Sequence, residues 1–253
     1  MGTLFTARMM NRLLQLRLHK RRLPPLAAAN LASLAHLDAS RPAGKYAYTV
    51  VDLETTGLDF RKDRIVSIGA VKLIDERIHL GRMFNQLVNP GRHMPAQAIT
   101  IHGIVPSMLA SAPSGMDTLD GFLDFLGSDI LVAHPAWFDV AFLNRLMQAR
   151  YGFRLQNLTI DNRLLCERLL LTKMLPALPR KPGLLGNDAA DPERHRKQPD
   201  LEKIAHQLGI RIYQRHSAVG DALATAMILQ RCLAKLAQTG RGRLRDLIRS
   251  GTV

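Results

Sequence analysis

At 253 residues, 47% of them hydrophobic, the chain is long enough for one sizeable α/β domain with appendages. No apolar run approaches the ~18 residues a membrane-spanning helix needs. The net charge of +14 sits mostly at the two ends: residues 1–37 carry six Lys/Arg and no acid, and residues 231–253 carry six against Asp246 alone, together eleven of the fourteen charges. Such an excess suits a polyanionic partner, whose counterions are released on binding, and a solvated basic surface is the plainer alternative. Cys166 and Cys232 have no CxxC or histidine beside them. They read as buried small hydrophobes in a reducing compartment, so a cytoplasmic location is expected.

In chain order, Met9, Met10, Leu13 and Leu14 with Arg17 predict a short amphipathic docking helix, ended by Pro24-Pro25. A disordered arm and an Arg-rich organellar transit peptide are the other readings of this acid-free segment. Ala27 to Leu37 is a second short helix and residues 40–44 a linker, so 1–45 form a basic N-terminal extension. The core, 46–238, opens with the β-branched and aromatic run YAYTVVDL, and residues 64–74 and 77–88 follow as a hairpin around Asp75-Glu76. Gly115 to Leu126 predicts a helix, 129–133 a buried strand, Ala136 to Arg150 a helix, 157–160 a strand, and Asp161 to about Lys173 a helix that Asp161 caps. Residues 175–199, rich in Pro and Gly, form an insertion. Leu201–Leu208 and Ser217–Ala237 are the last core helices, and 239–253 a basic tail. This order is that of a mixed-sheet α/β domain, and no P-loop motif supports nucleotide hydrolysis.

Four carboxylates stand in three blocks: Asp52 and Glu54 in VVDLETTGLD, Asp139 in LVAHPAWFDVAFL, and Asp221 in RHSAVGDALATA. Asp52 and Glu54, two apart on a strand, leave the same face. The run before them reads as buried, so the pair needs a counter-charge, and a divalent cation with its preference for hard oxygen ligands supplies one. Taken singly, Asp139 and Asp221 read as acids in the first turn of a helix, where the dipole favours them, and His216 as a loop histidine. Their joint order and contexts are not accounted for in that way.

With VVDLETTGLD, ITIHGI, LVAHPAWFDVAFLNRL and HSAVGDALATAMIL in view, residues 46–236 resemble the DnaQ-like 3′–5′ exonuclease family, the DEDDh group of the ribonuclease-H-like fold, which includes polymerase proofreading subunits. The resemblance implies a three-layer fold with a mixed five-stranded sheet, its first three strands antiparallel, flanked by helices. It implies that Asp52, Glu54, Asp139 and Asp221 bind two Mg²⁺ or Mn²⁺ ions and that His216 is the general base. Thr55, Gly57 and His102 match positions that contact the terminal nucleotide, while His102 packed on the strand end is the alternative reading. Gln97 matches a substrate position only weakly. The family usually has asparagine where this chain has Pro135. The expected activity is removal of mononucleotides from the 3′ end of DNA, single-stranded for preference. An exoribonuclease, a non-catalytic nucleic-acid-binding module and a tethering protein acting through residues 1–37 are the other readings, and that segment is also where a protein partner is expected.

Overall fold

The structure, a computed structural model, describes residues 2–19, 22–170 and 201–251. The expected insertion at 175–199, and the end of the helix predicted to reach Lys173, lie outside the described residues. Five strands form one mixed sheet in the order β3-β2-β1-β4-β5. β1 (Tyr48–Thr55), β2 (Ile65–Ile74) and β3 (Arg77–Leu87) make an antiparallel meander, and β4 (Ile130–Ala133) and β5 (Thr159–Asp161) add to β1 in parallel. The chain therefore has the expected α/β architecture. β1 is central and buried on both faces, so its side chains divide by parity. Tyr48 and Val50 join the core on one face, while Val51 and Leu53 join the core on the other.

The first core is covered by α7 (Asn162–Leu169), α8 (Leu201–Gln207), α9 (Ala218–Gln238) and α10 (Leu244–Gly251). The second is covered by α5 (Gly115–Leu126) and α6 (Ala136–Tyr151). Two short helices, α3 (Ala96–His102) and α4 (Pro106–Leu109), lie between β3 and α5, where the sequence predicts no element. Each begins directly after or at a proline and is too short to show helical periodicity. Within the basic tail, α10 buries Leu244, Leu247, Ile248 and Gly251 and turns its arginines outward.

The N-terminal extension holds α1 (Gly2–Leu18) and α2 (Pro25–Ala32), the latter starting two residues and ending five residues earlier than the sequence predicts. Leu4, Leu34 and Leu37 enter the first core, and Leu18, Ala27 and Leu31 the second. Asn30 fastens it: its Nδ2 donates to Asn157 Oδ1 at 2.5 Å, and its Oδ1 accepts from the Gln156 N–H at 3.0 Å. Asn157 in turn donates to the Gly127 and Asp129 carbonyls, so the anchor sits where β4 begins, at the opposite end of the parallel strands from Asp52 and Glu54. Cys166 and Cys232 are buried free thiols, side by side across α7 and α9.

Candidate metal centre

Asp52 and Glu54 leave β1 on the face covered by α9, as their spacing predicts. Close packing of α9 on the sheet at Gly69 brings Asp221 to them. Gly69 is the β2 partner of Asp52 in the register. A Cβ there would lie 2.1 Å from the Ala218 carbonyl carbon and the Val219 nitrogen. The N-terminus of α9 thus rests on bare backbone, and Asp221, in its first turn, reaches the β1 acids. One carboxylate oxygen from each of Asp52, Glu54 and Asp221 lies within 4.8 Å of the others.

Asp139 stands beside this group, not within it. It is buried in the first turn of α6, with the Leu53 and Asp139 backbone amides directed at its carboxylate. The N-cap residue Pro135 has no side-chain group to cap α6. Asp161, at the end of β5, does so from a distance: Oδ2 accepts from the Ala136 N–H at 3.1 Å, and Oδ1 accepts from the Leu164 N–H at 3.1 Å to cap α7. Asp161 is thus the expected cap for its own helix and also fixes the helix that carries Asp139. With Pro135 at its N-cap, the helix start finds its acceptor on the neighbouring strand.

The remaining predicted residues surround the acids. The ladder shifts register between Glu54 and Thr55, a bulge that ends β1. Thr55 Oγ1 donates to the Gly57 carbonyl at 2.6 Å. A Cβ at Gly57 would lie 2.4 Å from Asp63 Oδ2, so a side chain there would have to displace that carboxylate. Asp63 itself accepts from Thr56 Oγ1 at 3.0 Å and from the Asp59 N–H at 3.0 Å, which shapes the loop after β1. His102 ends α3, accepts the Ile104 N–H on Nδ1 at 3.0 Å and faces the Thr55 backbone. Burial lowers its pKa. His216 is exposed on the loop before α9, with a left-handed φ of 61°.

Desolvation raises the pKa of every one of the four acids. Asp52 is raised well above its ordinary value by burial and then by the charges of Asp139, Asp221 and Glu54, and Glu54 is pushed to about 7 by burial and Asp221. Burial likewise raises Asp139 and Asp221. A pocket in which carboxylates resist ionisation holds less positive charge than its acids call for. Asp221 Oδ1 is buried with no hydrogen-bond donor among the described residues. Its Oδ2 is held by the Arg215 guanidinium, a cation on the acid group that the sequence reading missed. The donor set is all hard oxygen, which fits Mg²⁺ or Mn²⁺.

The RNase T exonuclease family matches residues 49–229, most of the chain. The chain belongs to that exonuclease family. A DNA polymerase III subunit epsilon-like protein of Rhodobacter capsulatus is 37% identical to this chain over 205 residues, 80% of this chain and 26% of that protein. The DNA polymerase III subunit epsilon of Aquifex aeolicus is 29% identical over 189 residues, 75% of this chain and 81% of its own length. The chain therefore spans about a quarter of the Rhodobacter relative. Among solved structures it is similar to Exonuclease X in complex with 5′ overhanging duplex DNA, with a TM-score of 0.53 at 22% identity, covering 79% of this chain and 98% of that one. It is also similar to E. coli Exonuclease I in complex with dT13, with a TM-score of 0.58 at 16% identity, covering 77% and 42%. These neighbours are DnaQ-like exonucleases and establish the shared ribonuclease-H-like fold. The family normally uses divalent metals, and the acid cluster is a fitting place for them.

Proposed function

We propose that this exonuclease hydrolyses phosphodiester bonds at the 3′ end of DNA, single-stranded for preference, and releases nucleoside monophosphates. The observation that carries the reading is the convergence of Asp52, Glu54 and Asp221 within 4.8 Å, beside buried Asp139 and exposed His216. In this reading the four acids hold two Mg²⁺ or Mn²⁺ ions, which would activate a water and stabilise the leaving 3′-oxygen. The ions would supply the positive charge that burial and neighbouring acids make Asp52 and Glu54 lack, favouring their ionised forms. His216, at the solvent edge of the pocket, takes the proton of the attacking water. The Thr55–Gly57 turn presents bare backbone to the terminal nucleotide, and His102 closes the same side. Support for DNA comes from the neighbours solved with DNA strands, and the basic ends would add affinity for any phosphate backbone.

An exoribonuclease is the second reading, supported by similarity to a 3′-exonuclease that recognises histone mRNA stem-loop, with a TM-score of 0.57 at 16% identity. Among the described residues no helix is long and apolar enough to cross a membrane. The reading places the protein in the cytoplasm, where free thiols persist, and assigns a protein contact to residues 1–37, where Phe5, Met9, Leu13 and Leu16 lie exposed along α1.

The test is digestion of 3′-labelled single-stranded DNA and RNA with Mg²⁺ or Mn²⁺. Wild type should release labelled mononucleotide from DNA at once. His216→Ala should lower kcat by about 10²–10⁴-fold, and Asp52→Ala should reduce turnover at least as far. Shortening of RNA alone would replace DNA as the substrate, and two intact substrates would refute the nuclease reading.

A further inference from the structure

Arg215 lies inside the proposed metal pocket without belonging to the proposed reaction. Its Nη1 donates to Asp221 Oδ2, the Asp221 side chain being only 4% exposed. The loop is built to hold it there. Gln214 and His216, the residues on either side, both adopt left-handed φ values, 58° and 61°, a costly conformation for side-chain-bearing residues. The Ser217 N–H closes the turn on the Gln214 carbonyl at 3.2 Å. Gly220 lets this turn lie directly on α9, since a Cβ there would be 2.6 Å from the Gln214 carbonyl oxygen. With the turn so folded, Arg215 points inward onto the acids and His216 outward to solvent. The inward seat is poorly satisfied, because Arg215 Nε is buried with no hydrogen-bond partner among the described residues. A guanidinium held by an incomplete set of bonds yields to a better partner, and a divalent ion meeting three carboxylates is one.

We propose that Arg215 is a resident latch of the acid cluster, pairing with Asp221 when no divalent ion is bound and withdrawing before the pocket takes one. The inference rests on the metal-pocket reading above. The apparent affinity for metal is then the intrinsic affinity reduced by the fraction of molecules with the arginine withdrawn. Because His216 is the next residue, metal uptake also repositions the proposed general base, coupling the two without a separate switch.

The experiment is calorimetric titration of the metal-free full chain with Mn²⁺, comparing wild type, Arg215→Gln and Arg215→Lys. Arg215→Gln should bind Mn²⁺ about tenfold more tightly and melt at a lower temperature in EDTA, with Arg215→Lys between it and wild type. Equal or weaker Mn²⁺ binding by Arg215→Gln overturns the latch while leaving the metal pocket intact. Absence of Mn²⁺ binding by wild type and variants alike overturns the metal pocket and the latch with it. Should Arg215→Gln fail to fold by circular dichroism, the wild-type protein decides, with Arg215→Lys serving only for assignment. The ¹⁵Nε resonance of Arg215, assigned by its loss in Arg215→Lys, should shift on saturation with Mg²⁺, and an unmoved resonance overturns the proposal.

Discussion

Asp52, Glu54 and Asp221 share a space where three full negative charges repel one another, and that repulsion has a thermodynamic consequence before any metal binds. Glu54 has an ordinary value of 4.5 and is pushed to about 7, while Asp52 and Asp221 also move up. Between those values the folded chain binds more protons than the unfolded one, so stability falls as pH rises. In EDTA the unfolding free energy should therefore fall from pH 5 to about pH 7, by up to ~1.4 kcal/mol per group for each pH unit, and the melting temperature should fall with it. Saturating Mg²⁺ should flatten the slope, since the ion substitutes for the protons. A melting temperature that rises with pH in EDTA would contradict the electrostatic picture. At this scale the acids were legible because each stands in a local pattern of its own. Arg215 was not, because an arginine in a polar loop reads as solvated until the fold turns it inward.

The elements show how much depends on backbone contacts that carry no chemistry of their own. Gly69 sits in an otherwise ordinary apolar strand, IVSIGAVKLI, and nothing in that string says which helix will lie against it. Gly69→Ala should cost about 3 kcal/mol by forcing α9 from the sheet, and should weaken Mn²⁺ binding as Asp221 retreats from β1. Denaturant unfolding and calorimetry read the two effects, and wild-type values for both would refute the close packing. Asp161 holds two helix starts at once. Asp161→Ala should cost about 2–4 kcal/mol, for a lost cap and a buried Ala136 N–H without an acceptor. Asp161→Asn, with one acceptor oxygen, should recover part of it. The strands and long helices were legible from periods of two and 3.6 residues. α3 and α4 were not, because seven and four residues are too few to establish a period.

For the whole molecule, the N-terminal extension and the acids lie toward opposite ends of the parallel strands, so their roles separate. Deleting residues 1–45 removes Leu4, Leu18, Ala27, Leu31, Leu34 and Leu37 from the two cores. A buried leucine contributes about 1.5–3 kcal/mol before the entropy of ordering the segment is set against it. The truncated chain should melt well below the full one, yet turn over short oligonucleotides in the cold, because no acid of the cluster is touched. Equal melting temperatures would show the extension to be an independent arm. Loss of turnover in a truncated chain that still folds would show that it supports the site.

The sequence by itself determined the kind of chemistry: hard oxygen donors in strand and helix contexts, a histidine five residues before the last of them, and basic ends suited to phosphate. These follow from residue type and local period, which neighbours in the chain decide. Only the tertiary structure decided that Asp221 meets Asp52 and Glu54 across Gly69, that Asp161 starts the helix bearing Asp139, and that Arg215 rests on the acids. The first two are contacts between segments remote in the chain, and the third is a local turn held by its packing on α9, so the missing side chain of one residue or the charge of another acquires meaning only from what packs against it.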